Sequence, residues 1–192
     1  MKTVDIYMPL DAREEPNKAV WPVARRQLEF LTGAIQKCGY QANILNPDAP
    51  ISSVRQGLEA VKNARGDRFI NFMAGWAYPD FSVSPMWQLP EKTPKLMLGS
   101  LISDYPGAVG LLAAESGMAQ MGIKTSRLFV EHFDKTNTYQ DAIAEFLNTG
   151  SYEPKTEKYI EVDPTDAQRE NAKRVRTQLK GQVYGAVGPR SM

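Results

Sequence analysis

Short runs rich in β-branched and aromatic residues alternate with helical patterns along residues 1–150 of the chain. Strands that are separated by helices of this length form right-handed βαβ units and a parallel sheet. The alternation therefore predicts a doubly wound, flavodoxin-like α/β domain over residues 1–150. The predicted strands are Thr3–Met8, Gln41–Leu45, Arg68–Ala74, Lys95–Ile102 and Thr125–Glu131.

Four helices are predicted in this domain from the spacing of apolar residues and from residues typical of helix ends. Proline suits the first position of a helix, glycine suits the residue just after its end, and serine is a good N-cap. On these signals the first helix runs from Pro22 to Cys38, the second from a cap at Ser52 or Ser53 to Gly66, the third from Pro106 to Gly122 and the fourth from Tyr139 to Asn148.

The pattern changes after Gly150, which predicts a second region over residues 151–192. A polar linker leads to a helix that starts at Asp163-Pro164 and ends at Lys180, and a strand follows over Gln182–Val187. This C-terminal helix and strand extension is interpreted as the start of a second domain. A lone strand leaves its backbone groups unpaired, so we expect it to be disordered or to pair with another chain. The basic face of the helix is interpreted as solvated, because cations near a helix C-terminus are favoured by the helix dipole.

Composition excludes several classes of protein. The chain has 192 residues and a net charge of +1, so it has no global attraction for nucleic acid or an acidic membrane. One cysteine, Cys38, and one histidine, His132, exclude a disulfide framework and a zinc site of the common ligand types. The sequence has no apolar stretch of the length that a membrane helix needs. We therefore expect a cytoplasmic protein that binds neither nucleic acid nor membrane.

Motifs for common chemistries are also missing. The residues after the first strand do not match a dinucleotide fingerprint, and the sequence has neither a Walker loop nor a G-x-S-x-G elbow. The run Glu131-His132-Phe133-Asp134 resembles a ligand cluster. On a strand, however, only His132 and Asp134 would share a face. This run is therefore interpreted as a polar cluster at the end of a strand.

The most unusual segment is 75–87, which follows the third predicted strand. Open α/β sheets bind ligands at the carboxyl ends of their strands. Trp76 and Tyr78 stand near Asp80 and Ser82, and aromatic rings beside hydrogen-bonding groups suit a sugar. A packed loop that covers the end of the sheet is the alternative, and composition does not decide between the two.

Three segments carry a family resemblance. Asn71-Phe72-Met73-Ala74-Gly75-Trp76-Ala77-Tyr78, then Pro106-Gly107-Ala108-Val109-Gly110-Leu111-Leu112-Ala113-Ala114, and then Met121-Gly122-Ile123 resemble the N-terminal domain of L-fucose isomerases. The run 81–87 is similar to a stretch of the related L-arabinose isomerases, and the run 179–192 is similar to the element that opens the family's second domain.

The resemblance implies an aldose–ketose isomerase that moves a proton between adjacent sugar carbons, with manganese holding the substrate oxygens. It implies that the metal ligands and the catalytic residues lie in later domains, so that this chain binds no metal or cofactor itself and is inactive alone. It implies that the N-terminal domain reaches the pocket of a neighbouring subunit with Arg13 and Trp76. With the aromatic segment, the candidate substrate-binding residues are Trp76, Arg13, Tyr78 and Asp80.

Three functions remain open from the sequence. The first is the N-terminal domain or subunit of such an isomerase, working in an oligomer with catalytic domains on a separate chain or on a missing C-terminal part. The second is a sugar-binding or regulatory module that has kept the wall of the pocket without the catalysis. The third is a flavodoxin-like domain with a structural role in assembly.

Overall fold

The computed structural model describes residues 2–101, 107–134, 138–154 and 163–182. The chain divides into two units, Met1–Pro154 and Lys155–Met192. The first unit contains strands β1 (Thr3–Tyr7), β2 (Gln41–Ile44), β3 (Arg68–Met73), β4 (Lys95–Ser100) and β5 (Ser126–Val130). Its helices are α1 (Glu14–Lys37), α2 (Val54–Val61), α3 (Asp80–Trp87), α4 (Gly107–Gln120) and α5 (Thr138–Thr149), and the second unit contains α6 (Asp166–Leu179).

The five strands form one parallel sheet in the order β2-β1-β3-β4-β5. This is the flavodoxin-like order of a doubly wound fold, and the predicted fold class is confirmed. From β1 the chain passes to β2 at one edge of the sheet. It then returns to β3 on the other side of β1 and continues through β4 to β5 at the opposite edge. The direction of winding therefore reverses between β1 and β3, and their carboxyl ends flank the crevice in which such folds bind ligands.

Helices cover both faces of the sheet. Strand side chains alternate, so that Ile70 and Phe72 of β3 point to one face while Phe69 and Met73 point to the other. The first face packs against α1 and α5, and the second packs against α2, α3 and α4. A strand buried on both faces reads as a continuous apolar run, which explains why the central strands β3 and β4 were recognisable in the sequence.

Helix α1 begins at Glu14, eight residues before the predicted start at Pro22. Pro16 is the proline in the first turn, where its missing N–H would have no helical partner in any case. Pro22 lies inside the helix and cannot donate to the carbonyl of Lys18. Both residues are exposed, so that carbonyl faces water and the helix continues.

The segment 75–87, for which the sequence suggests a ligand loop or a covering loop, contains helix α3, which the sequence does not predict. Eight of those residues are helical, and the sequence signal was weak for two reasons. Pro85 lies in the second turn, and the buried side includes the polar Ser82 beside Phe81 and Met86. A short helix that buries a serine and a proline shows no clear apolar period.

The ends of other helices differ from the predicted ends by a few residues. Ser53 is the N-cap of α2 and accepts a hydrogen bond from the backbone of Gln56, but α2 ends at Val61 rather than near Gly66. Helix α6 begins after Thr165 and ends one residue before Lys180. Pro106 and residues 183–187 of the predicted terminal strand lie outside the described residues. Within the described ranges, no helix is both long enough and apolar enough to cross a membrane.

Candidate functional site

The loops that follow β1 and β3 meet at the reversal of winding. We call the loop residues 8–13 and 74–79 together the switch-point crevice. Parallel pairing places Tyr7, the last residue of β1, opposite Asn71, and β3 continues to Met73, so both loops leave the same end of the sheet. Arg13 lies in the first loop, and Trp76 and Tyr78 lie in the second. The fold therefore brings three of the four predicted site residues to one edge of the sheet.

The loop after β1 is held by the segment that follows β2. The Asn46 side chain accepts a hydrogen bond from the Met8 backbone N–H at 3.1 Å and donates to the Met8 carbonyl at 3.1 Å. The Leu10 N–H donates to the carbonyl of Ile51 at 2.9 Å. Sequence reasoning missed Asn46, because an asparagine followed by proline reads as an ordinary turn. Its amide fixes the direction of the loop that carries Arg13.

Arg13 is fixed by Asp11. The guanidinium donates to both Asp11 oxygens, at 3.0 Å from Nε to Oδ1 and at 2.7 Å from Nη2 to Oδ2. The Arg13 backbone N–H also donates to Oδ1 at 2.9 Å. The Asp11 side chain is 6% exposed, whereas the Arg13 side chain is 71% exposed. A buried carboxylate thus holds an exposed guanidinium in a set orientation, with donors left over for a ligand.

Asp11 and Arg13 each stabilise the charged form of the other. Hydrogen bonds from Arg13 lower the pKa of the Asp11 carboxyl below its usual value. The Asp11 carboxylate raises the pKa of the Arg13 guanidinium, and the Tyr78 side chain adds a smaller electrostatic contribution. The guanidinium therefore stays charged at the mouth of the crevice.

Trp76 and Tyr78 form the aromatic part of the crevice. Their rings meet edge to face with 4.6 Å between the centroids and 85° between the planes. Tyr78 also contacts the ring of Phe81, the second residue of α3, at 5.5 Å. Trp76 is half-buried and Tyr78 is 39% exposed. Rings that are fixed by such contacts and partly exposed leave an aromatic surface on which an apolar face of a ligand can stack.

Three glycines let the loop after β3 sit where it does. A Cβ at Gly75 would stand 2.7 Å from Cγ1 of Val20 in α1. A Cβ at Gly107 would stand 2.0 Å from the carbonyl oxygen of Met73, and one at Gly110 would stand 2.9 Å from the carbonyl oxygen of Ala77. The Trp76 loop is therefore clamped between α1 and the start of α4.

Asp80 occupies a different position from the other three candidates. It is the first residue of α3 and is exposed, where a carboxylate interacts favourably with the positive end of the helix dipole. Burial of the Tyr7 phenol raises its pKa, and the negative charge of Asp80 raises it by a smaller amount. The Tyr7 hydroxyl donates to the carbonyl of Phe81, which fixes the first turn of α3. Whether Asp80 binds a ligand stays a prediction.

The described residues include no group of three or more His, Cys, Asp or Glu side chains placed to hold a metal ion. Strand β5 ends at Val130, so the polar run that begins at Glu131 follows the strand rather than forming part of it. There, His132 Nε2 lies 3.9 Å from an oxygen of Glu131 and both side chains are well exposed. Manganese prefers several oxygen ligands, and the described part of the chain does not offer such a set.

A family comparison covers this unit almost in full. Residues 1–151 match the family model described as "L-fucose isomerase, first N-terminal domain". The resemblance recognised from the segments around Trp76 and Gly107 is thereby confirmed. No curated protein matches the chain.

Proposed function

Since the chain belongs to the family of L-fucose isomerase first N-terminal domains, we propose that it shapes the sugar pocket of an aldose–ketose isomerase. In this proposal the chain is the N-terminal domain or a separate subunit of an enzyme of the L-fucose or L-arabinose isomerase type. Its switch-point crevice closes a pocket on a neighbouring subunit of an oligomer. The enzyme acts in carbohydrate metabolism in the cytoplasm.

The observation that supports the proposal is the pairing of two groups at the crevice. Arg13 presents guanidinium donors whose direction is set by Asp11, and Trp76 with Tyr78 presents an aromatic surface. Sugars offer hydroxyl oxygens to such donors and C–H faces to such rings. The two groups lie in the two loops that flank the reversal of winding between β1 and β3, so one bound sugar would contact both groups.

In this reading, the residues of this chain bind and orient rather than transfer protons. Arg13 remains protonated, so it donates hydrogen bonds and does not act as a base. The rings of Trp76 and Tyr78 exclude water from one side of the sugar. Manganese and the catalytic groups belong to domains outside this chain, where the metal would polarise the substrate oxygens.

The test is reconstitution. The chain is mixed with the polypeptide that carries the catalytic domains, and ketose formation from L-fucose and L-arabinose is measured with manganese present. The proposal expects the mixture to be at least about tenfold more active than the catalytic polypeptide alone, a difference of about 1.4 kcal/mol. Equal activity with and without the chain would contradict it. An Arg13→Ala chain, which keeps Asp11, serves as the matched comparison.

A non-catalytic sugar-binding or assembly module of the same fold is the second candidate, since the Arg13 donors and the aromatic surface of Trp76 and Tyr78 form without any catalytic domain. Titration of the chain alone with monosaccharides, followed by tryptophan fluorescence, separates the two roles of that module. Saturable quenching that disappears in Trp76→Phe indicates a binding module. No change at any sugar concentration indicates an assembly role.

A further inference from the structure

Asn17 is a side chain next to the switch-point crevice that the sequence does not single out. It is the fourth residue of α1, and its Nδ2 donates a hydrogen bond to the carbonyl of Asp11 at 2.7 Å. The reverse orientation of the amide would turn Oδ1 toward that carbonyl, so the partner itself decides which atom donates. The contact joins α1 to the residue that holds Arg13.

The other half of the same amide does not stabilise the fold. Asn17 Oδ1 is buried and has no hydrogen-bond partner among the described residues. A buried acceptor without a donor lowers the free energy of unfolding, and asparagine is a poorer helix former than alanine. Stability therefore does not account for an asparagine at this position, whereas the contact with Asp11 does.

The loop that carries Arg13 is tied to its surroundings at both of its ends. Its earlier residues, Met8 and Leu10, make hydrogen bonds to the segment that follows β2. Asn17 supplies the tie at Asp11, two residues before Arg13. Helix α1 begins directly after Arg13, whose side chain makes no capping hydrogen bond and is held by Asp11 instead. Asn17 therefore fixes the last part of the loop against the helix.

This tie determines the direction of the Arg13 guanidinium. Nε and Nη2 both donate to the Asp11 carboxylate, so one edge of the planar fork is used. The other edge, formed by Nη1 and Nη2, points away from Asp11, and the Arg13 side chain is exposed. A bidentate pair adds geometric specificity as well as energy. A rotation of the Asp11 carbonyl would therefore turn the carboxylate and, with it, the free edge of Arg13.

We propose that Asn17 is a positioning residue for the sugar site, which acts through Asp11 and Arg13 and does not itself touch the sugar. Its amide sets the Asp11 main chain, Asp11 sets the guanidinium, and the free edge of Arg13 then meets a sugar hydroxyl beside Trp76. These hydrogen bonds form before the sugar binds, so binding does not have to order a long side chain. The inference rests on the proposed function.

The test is a double-mutant cycle in the reconstituted enzyme, with KM and kcat measured for ketose formation from L-fucose and L-arabinose. The cycle compares the native chain, Asn17→Ala, Arg13→Ala and the double variant. We expect Asn17→Ala to raise KM at least about fivefold and to leave kcat within about twofold, because the substrate and the transition state lose the same contact. In the Arg13→Ala background the same substitution should change KM by less than about twofold, since Asn17 acts through Arg13.

A second measurement needs no turnover. The Nε–H group of Arg13 gives a signal in proton–nitrogen NMR spectra of the full chain, and its loss in Arg13→Ala assigns it. The hydrogen bond to the nearly buried Asp11 carboxylate protects this proton from exchange with water. We expect exchange at least about fivefold faster in Asn17→Ala, while the backbone amide signals of β1 and β3 stay unchanged and so exclude unfolding.

Lys18→Ala is the matched control for both measurements. Lys18 is the next residue of α1, and its side chain pairs with Glu14 and Glu15 rather than with Asp11. This variant should leave KM and the exchange rate within about twofold of the native values, as is usual for exposed positions.

The outcomes separate this inference from the proposed function. Equal rises in KM for Asn17→Ala in the native and the Arg13→Ala backgrounds would overturn the inference, because a purely structural role acts in both. An unchanged KM in Asn17→Ala, or an unchanged exchange rate at Arg13 Nε, would overturn it as well. In these cases the native chain still raises the activity of the catalytic polypeptide, so the proposed function stands. If the native chain gives no such rise, the proposed function fails and the inference fails with it.

Discussion

The backbone of Gly107 lies directly against the carbonyl of Met73, where a Cβ at position 107 would stand 2.0 Å from the oxygen. The contact joins the first residue of α4 to the last residue of β3. It leaves no room for a side chain, because the neighbouring atoms of Met73 are main chain and cannot rotate away. The Trp76 loop begins immediately after this point, so the contact also sets where that loop starts.

We predict that Gly107→Ala lowers the free energy of unfolding by about 1–3 kcal/mol, the usual effect of overpacking. Gly33→Ala is the matched control, since Gly33 lies inside α1 with no atom within 4 Å of its added Cβ. That control should raise the free energy of unfolding by up to about 1 kcal/mol through helix propensity. Urea titrations of the three proteins measure both effects. Equal stability of Gly107→Ala and the native chain would contradict the close approach.

A second prediction concerns the hydroxyl of Tyr7, which donates to the carbonyl of Phe81 and is fully buried. Tyr7→Phe removes the donor and leaves a buried carbonyl without it, at a cost of about 1–3 kcal/mol. Tyr78→Phe is the control, because the Tyr78 side chain is partly exposed and its hydroxyl makes no hydrogen bond to the described residues. Thermal melts should show a clear loss for the first variant and none for the second. The reverse order would show that Tyr7 does not hold α3.

The third prediction is a pH dependence at Asp11. Its pKa is lowered in the folded protein, so the pair with Arg13 stabilises the fold above the pKa of the unfolded chain. That stabilisation is lost as the pH falls through the lowered pKa of the folded state. The difference in unfolding free energy between the native chain and Asp11→Asn should therefore be larger at neutral pH than in strong acid. A difference that stays constant over this range would contradict the pairing. Glu15→Gln, which alters an exposed ion pair with Lys18, controls for general charge effects.

Much of the fold could be predicted from the sequence, because buried parallel strands are continuous apolar runs and several helix ends carry serine caps or glycines. The start of α1 could not be predicted, because Pro16 and Pro22 are six residues apart and each fits the first turn of a helix. Trp76 and Tyr78 stood out as an aromatic cluster. The clamp by Gly107 and Gly110 could not be read from spacing, because it depends on residues about 30 positions apart meeting in three dimensions. The angle between the two rings could not be read either, because it depends on the backbone path of the loop.

A fourth prediction follows from the ligand set. The purified chain should convert no aldose to ketose, with or without added manganese, and calorimetric titration should show no tight manganese site. The described residues supply no group of three carboxylate or histidine ligands. Turnover by the chain, in a sample shown by mass spectrometry to contain no other polypeptide, would contradict the proposal that the catalytic groups lie in domains outside this chain.

The most direct test of the account is the kinetic effect of Trp76→Ala in the assembled isomerase. Trp87→Ala is the matched control, because Trp87 is 53% exposed at the end of α3 and lies outside the switch-point crevice. If Trp76 stacks on the sugar, the account predicts at least about a tenfold fall in kcat/KM, equivalent to about 1.4 kcal/mol. The melting temperature and the Trp87→Ala kinetics should change little. Unchanged kinetics for Trp76→Ala, together with a stability loss of about 3–5 kcal/mol typical of a deleted core aromatic, would contradict a role of Trp76 in sugar binding.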